Sequence, residues 1–245
     1  MNTETKRVAL VTGGSGGIGR AVVERLVADG FAVAVHYAGN KEAAETLANS
    51  ITAAGGQAIV VGGDVADEGA MIAAFEATEE ALGGIDVVVN TAGIMILGSI
   101  VDFDLVDLDR MHRTNIRGTF VVSQQAARRV RAGGAIINVS TTVTKTQFPG
   151  YGAYVASKAA VEGMTLILAR ELRGKDITVN AVAPGPTATP LFMNGKDDQT
   201  VAQLSKAAPL ERLGQPQDIA ESVAFLAGPG RWINGKTIYS NGGLA

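Results

Sequence analysis

The chain contains no cysteine and only two histidines, His36 and His112. The first absence excludes disulfides, thiol nucleophiles and thiolate metal sites. The second leaves no HExxH pair and no cluster suited to a metal. It also argues against a Ser-His-Asp triad. Acid–base chemistry is thereby left to carboxylates, tyrosine or lysine. Excess charge is scarce too: the formal net charge is −3, which argues against nucleic acid as a main partner. No apolar run is long enough to span a bilayer, and the polar start from Met1 to Arg7 does not read as a signal peptide. A soluble cytoplasmic protein is expected. Hydrophobic residues are plentiful, at 47% of 245 positions, enough for a sizeable core.

Apolar runs at Val8–Val11, Ala32–Val35, Ala58–Val61, Ile85–Asn90, Ala135–Val139, Ile177–Val182 and Thr237–Tyr239 read as strands. Helical spacing covers Arg20–Asp29, Lys41–Ala54, Ala70–Leu82, about Leu105–Val130, Tyr151–Leu172 and Pro216–Leu226. The two patterns alternate from end to end, and several strands are apolar throughout, as when both sheet faces are covered. This predicts one α/β domain over 1–245, a doubly wound parallel sheet with helices on both faces. The stretch from Pro184 to Pro209 differs, with four prolines and only a brief helical piece at Thr200–Lys206. It reads as an insertion, at about 184–210, lying over the active face.

Two constellations carry chemistry. In Tyr154-Val-Ala-Ser-Lys158 a phenol and an ammonium lie four residues apart in a helical run, on one face. A neighbouring cation favours phenolate and is expected to lower the tyrosine pKa from its usual value of about 10. Far upstream, Thr12-Gly13-Gly14-Ser15-Gly16-Gly17-Ile18-Gly19 joins a strand to a helix. It holds GxGxxG at Gly14, Gly16 and Gly19, and TGxxxGxG at Thr12, Gly13, Gly17 and Gly19. Such a turn lets backbone approach a pyrophosphate at a helix N-terminus. An acid ending strand two would grip the ribose of NAD, but Tyr37 stands there and no carboxylate follows until Glu42. Asn40-Lys41 opens the next helix and suits a phosphate instead, which predicts NADP(H), with NAD(H) as the alternative. The competing reading makes Asn40 a plain helix cap and Lys41 a solvated charge.

Taken together, these residues resemble the short-chain dehydrogenase/reductase family over nearly the whole chain. The match includes Thr12–Gly19, Asp64-Val65, Asn90-Thr91-Ala92-Gly93, Asn115, Ser140-Thr141, Tyr154, Lys158, and Pro184-Gly185 with Thr187 and Thr189 following. It is closest to carbonyl reductases and 3-oxoacyl-acyl-carrier-protein reductases. The resemblance implies a seven-stranded Rossmann-type sheet, a nicotinamide cofactor and a homotetramer (or dimer). By matched position it puts Asp64 and Val65 at the adenine, and Asn90, Ala92 and Gly93 near the cofactor ribose. Pro184, Gly185, Thr187 and Thr189 fall at the nicotinamide end. Tyr154 becomes the acid–base residue, Lys158 the group that holds the ribose and lowers the tyrosine pKa, and Asn115 the holder of a relay water. Asn115 read on its own could equally be a buried amide.

One position departs from the family pattern. The catalytic serine should lie thirteen residues before the tyrosine, where Thr141 stands, with Ser140 one step earlier. Strand neighbours face opposite sides, so Ser140 does not substitute, and Thr141 is the expected hydroxyl donor. Met95, Thr142, Phe148, Tyr151, Leu191 and Phe192 are the expected substrate walls, mostly apolar. Tyr151 is either a cleft wall or packing, because its i+4 partner is Val155. Arg128, Arg129 and Arg131 could receive an acidic carrier protein, or could be solvated charges complementing a helix end. Trp232 could pack across a subunit interface or within one subunit. The expected activity is reduction of a small ketone, aldehyde or diketone. The alternatives are a 3-oxoacyl thioester reductase and a nucleotide-binding regulator without catalysis.

Overall fold

The computed structural model describes residues 6–245; the polar residues before them, and that part of the expected 1–245 domain, lie outside the described residues. The first half alternates β1 (Val8–Thr12), α1 (Gly17–Ala28), β2 (Ala32–Tyr37), α2 (Lys41–Ala53), β3 (Ala58–Gly62), α3 (Glu68–Leu82) and β4 (Ile85–Asn90). There follow a short 3-10 turn (Ile100–Asp102), α4 (Leu105–His112), a π turn (Arg113–Arg117), α5 (Gly118–Arg129) and β5 (Val130–Val139). The last part comprises α6 (Val143–Thr146), α7 (Gly152–Glu171), β6 (Thr178–Pro184), α8 (Pro190–Met193), α9 (Asp198–Ala207), α10 (Pro216–Ala227) and β7 (Thr237–Ser240).

The seven strands form one sheet in the order β3-β2-β1-β4-β5-β6-β7, and every described pairing is parallel. This is the expected Rossmann-type architecture. Side chains alternate across β1: Ala9 and Val11 enter the layer with Val22, Leu26 and Val223, while Leu10 enters the opposite layer with Phe75, Val122 and Ile136. Burial on both faces is why these strands carry near-continuous apolar runs. Strand order reverses between β1 and β4, which opens a crevice at the carboxyl ends of the strands.

Three departures from the sequence reading bear on the site. The helix expected over Leu105–Val130 is broken by the π turn that carries Asn115. Asn115 is wholly buried there, and its amide bonds the backbone of Ile94 and the Ser157 hydroxyl rather than its own helix. β5 begins at Val130, five residues early, with a register shift between Ile85 and Val87. The insertion after β6 is more helical than expected, with α8 capped by Thr189 and α9 capped by Asp197. Among the described residues no helix is long and apolar enough to cross a membrane.

Candidate active site

A cleft of about 390 Å³ lies at the carboxyl ends of β1, β4, β5 and β6. The glycine turn forms one wall. Gly13 and Gly17 adopt φ of +63° and +50°, and the Gly14 N–H bonds the His36 carbonyl at 2.9 Å. A Cβ at Gly19 would stand 2.2 Å from the Gly13 carbonyl oxygen, so the tight return needs glycine there. Gly16 caps α1 without a side-chain bond, and nothing lies within 4 Å of where its Cβ would be. The first turn of α1 thus has no side-chain cap and lines the cleft from Gly16 to Gly19, which fits a phosphate-bearing ligand.

Asn90 is turned inward. It accepts from the Thr12 hydroxyl at 2.6 Å and donates to Thr119 at 3.0 Å, tying β1, β4 and α5 together. The next residues, Thr91, Ala92 and Gly93, line the cleft, and Gly93 packs beside Asn115 Oδ1 and Lys158 Nζ.

α7 presents Tyr154 and Lys158 to the cleft on successive turns, both buried. Lys158 Nζ donates to the Val139 carbonyl at 2.8 Å and lies 5.9 Å from the centre of the Tyr154 ring. The expectation that the lysine lowers the tyrosine pKa is not met. Burial pushes the phenol up to about 12, outweighing the opposing influence of the neighbouring Thr141 hydroxyl, and burial pushes Lys158 down to about 8. A buried ammonium committed to a carbonyl does not offset the phenol's own loss of water.

Thr141 stands at the end of β5 against Tyr154. The Ser140 hydroxyl turns away to Glu162, at 2.6 Å. All six expected substrate walls, Met95, Thr142, Phe148, Tyr151, Leu191 and Phe192, line the cleft. So do Pro184, Gly185, Thr187 and Thr189 from the far side, and Gly13, Gly16, Gly17, Ile18 and Gly19 from the turn.

Ser15, Tyr37, Asn40, Lys41, Asp64 and Val65 lie outside the cleft lining. Asn40 caps α2 by accepting the Ala43 N–H at 3.0 Å, and Lys41 pairs with Glu45 at the surface. Asp64 accepts from Arg113 and from the Ala66 N–H. Sequence reasoning missed Leu204 and Leu244, which also face the cleft. The amphipathic run of α9 is a signal for the first; nothing local marks the second.

Two arginines of the cluster are paired, and Arg128 is exposed. Arg129 pairs with Glu76 and Glu79, and Arg131 with Asp86, which also accepts the Val8 N–H at the amino end of the sheet. That end is opposite the cleft. Trp232 is fully exposed and does not pack within the subunit.

The family model for enoyl-(acyl carrier protein) reductase matches residues 13–245. A chloroplastic NADPH-dependent aldehyde reductase-like protein of Arabidopsis thaliana is 40% identical over 97% of this chain and 93% of its own length. The 3-oxoacyl-[acyl-carrier-protein] reductase FabG of Staphylococcus aureus is 40% identical over 96% of this chain and 97% of its own. The crystal structure of a short-chain dehydrogenase from Burkholderia cenocepacia in complex with NADP superimposes with a TM-score of 0.91, at 40% identity, covering 100% of this chain and 99% of that one. The seven-stranded parallel sheet agrees with that likeness, and the chain belongs to the short-chain dehydrogenase/reductase family of oxidoreductases.

Proposed function

We propose that the chain is an NADPH-dependent carbonyl reductase that converts a ketone, aldehyde or diketone with an apolar flank to its alcohol. One observation carries the reading. Tyr154, Thr141 and Lys158 meet on the wall of an apolar cleft whose other end is the uncapped first turn of α1.

The glycine turn holds the pyrophosphate of the cofactor, with Gly13, Ser15, Gly16, Gly17, Ile18 and Gly19 around it. Asp64 and Val65 border the adenine, and Asn90, Ala92 and Gly93 support the ribose side. Pro184, Gly185, Thr187 and Thr189 border the nicotinamide. Asn40 keeps its Nδ2 free as a donor, and the exposed Lys41–Glu45 pair is weak enough to yield Lys41 to a 2′-phosphate beside Tyr37. The NADPH-dependent Arabidopsis relative and the NADP-bound Burkholderia structure support this preference.

A bound nicotinamide cofactor supplies the hydride. The protein orients the carbonyl and manages its proton. Thr141 and Tyr154 donate hydrogen bonds to the carbonyl oxygen as charge builds there. Tyr154, with its pKa near 12, stays protonated at neutral pH, so it serves as the acid: its O–H breaks as the alcohol O–H forms. Lys158 stabilises the phenolate left behind. Asn115 has both amide hydrogens committed to Ile94 and Ser157, and its Oδ1 faces the Lys158 side of Gly93, where it holds a relay water that restores the proton.

A second reading, reduction of a 3-oxoacyl thioester, is supported by the Staphylococcus relative. The arginines that could have docked an acidic carrier do not favour it, since they lie at the opposite end of the sheet and Arg129 and Arg131 are paired. Assembly as a homotetramer or dimer is part of the proposal. The exposed apolar side chains of Leu105, Val106 and Phe120 on α4 and α5, and of Ile167 and Trp232, need covering. Sedimentation as a monomer at micromolar concentration would refute that part.

The test follows loss of NADPH, and separately NADH, against ketones, α-diketones and 3-oxoacyl thioesters, with Tyr154→Phe as control. Turnover that requires Tyr154 and prefers NADPH and a free carbonyl compound supports the proposal. Preference for a carrier-bound thioester selects the second reading, and turnover that persists in Tyr154→Phe overturns the mechanism.

A further inference from the structure

α7 grips the end of β5 on three successive turns. Tyr154 shares the cleft wall with Thr141, Lys158 Nζ donates to the Val139 carbonyl, and Glu162 Oε1 accepts from the Ser140 hydroxyl at 2.6 Å. The spacing of four places all three on one helix face. The first two belong to the proton chemistry of the cleft; the third does not.

We infer that Glu162 is a positioning residue for Thr141. The inference rests on the proposed role of the Thr141 hydroxyl. The backbone on either side of Thr141 is pinned to β6, with Ser140 N–H bonded to the Val182 carbonyl at 2.7 Å and Thr142 N–H bonded to the Pro184 carbonyl at 2.9 Å. Those bonds fix where the turn sits but not its roll about the chain direction. Glu162 supplies that constraint. Anchoring the Ser140 side chain to Glu162 fixes the roll at which the next residue, Thr141, meets the cleft beside Tyr154.

The same carboxylate oxygen lies 3.0 Å from the Thr144 hydroxyl, which lies 2.9 Å from the Thr141 carbonyl. Glu162 therefore touches the turn before and after Thr141. A hydroxyl has one hydrogen, so Thr144 donates to one acceptor at a time, while Ser140 has the carboxylate alone. Ser140 is 2% exposed, and without Glu162 its hydroxyl has no described partner. The cheapest relief is a roll of the turn that brings Ser140 to a new acceptor and swings Thr141 off the carbonyl oxygen.

The experiment is a kinetic double-mutant cycle on the purified full chain, with NADPH affinity and thermal midpoint measured for each variant. Glu162→Ala should lower kcat about tenfold or more, about 1.4 kcal/mol or more in the barrier, while the NADPH Kd stays within about twofold. Glu162→Gln keeps an acceptor oxygen and should restore kcat to within about threefold of wild type. In a Thr141→Val background, Glu162→Ala should cost nothing further. Should Glu162→Ala fail to fold, Ser140→Ala removes the same anchor from the other side and should show the same dependence on Thr141. A loss of equal size with and without Thr141, or an unchanged kcat in Glu162→Ala or Ser140→Ala, overturns the inference. If Thr141→Val itself keeps wild-type kcat, the reading of Thr141 fails and takes this inference with it. A loss there beside a silent Glu162→Ala sinks the inference alone.

Discussion

Acid should destabilise this protein through His36, and the size of the effect follows from its surroundings. His36 sits on β2, wholly buried, and neither ring nitrogen has a hydrogen-bond partner. Loss of water lowers its pKa from the ordinary 6.5 to about 4, the nearby Gly63 backbone and Asp64 carboxylate opposing only part of this. The folded chain therefore keeps the imidazole neutral at pH values where the unfolded chain binds a proton. Because the folded pKa is the lower one, the associated stability is present above about pH 6.5 and is lost as pH falls toward 4. Linkage puts the loss at about 2 kcal/mol between pH 7.5 and pH 5, and about 3 kcal/mol once both states are protonated. A loss of ~2 kcal/mol moves a urea midpoint by roughly 0.5–1 M. The assay is urea unfolding at both pH values and one fixed protein concentration, on wild type and on His36→Leu. Carboxylates other than Asp64, which faces His36, titrate alike in both proteins, so the difference between their pH dependences reports the imidazole and its Asp64 neighbour. A variant that loses as much stability as wild type on acidification would refute the assignment.

Other consequences are more direct. With Tyr154 near 12 and Lys158 near 8, kcat/KM for carbonyl reduction should be flat through neutrality and fall above about pH 8 as the ammonium loses its charge; a rise above pH 8 contradicts Tyr154 as the acid and Lys158 as its cationic support. Gly16→Ala meets no protein atom and should leave the thermal midpoint unchanged while weakening NADPH binding, as titration calorimetry can read. Gly19→Ala collides with the Gly13 carbonyl and should cost about 1–3 kcal/mol of stability or more in thermal unfolding, so wild-type stability would show that the turn has room to spare. Lys41→Glu should raise KM for NADPH and leave KM for NADH unchanged; equal effects on both would remove Lys41 from the phosphate site.

The strands were legible because doubly covered β strands carry near-continuous apolar runs, such as Val8–Val11 in β1, Ala32–Val35 in β2 and Val87–Val89 in β4. The start of β5 was not, since Arg131, Gly133 and Gly134 carry no strand pattern, and Gly133 even takes φ of +83°. The π turn was hidden too. Helical periodicity runs through Arg113–Arg117, and the widening tracks Asn115 bonding Ile94 and Ser157, residues distant in the chain.

In the candidate site, the spacing of Tyr154 and Lys158 was readable but the balance of their pKa shifts was not. Spacing reports which groups are neighbours, whereas burial depends on the whole fold. Glu162 looked like any acid on a helix face, and only the approach of Ser140 distinguishes it. The arginines could be read either as a docking patch or as ordinary surface charge, and their partners Glu76, Glu79 and Asp86 decide between them.

The cleft is assembled from parts that are separable along the chain. The wall proposed for the cofactor comes from β1 and α1, the groups proposed for the proton from β5 and α7, and the apolar end largely from α6, α8 and α9. The last group contributes no strand to the sheet; beyond its own turns it is tied in by few bonds, such as the bridge between Thr187 and Gly214. Thr144 apart, which bonds Glu162 and the Thr141 carbonyl, those residues can be rewritten for a larger or differently shaped partner molecule without retuning the groups proposed to move the proton. A modular division of this kind lets one scaffold diversify its appetite while its reaction stays the same.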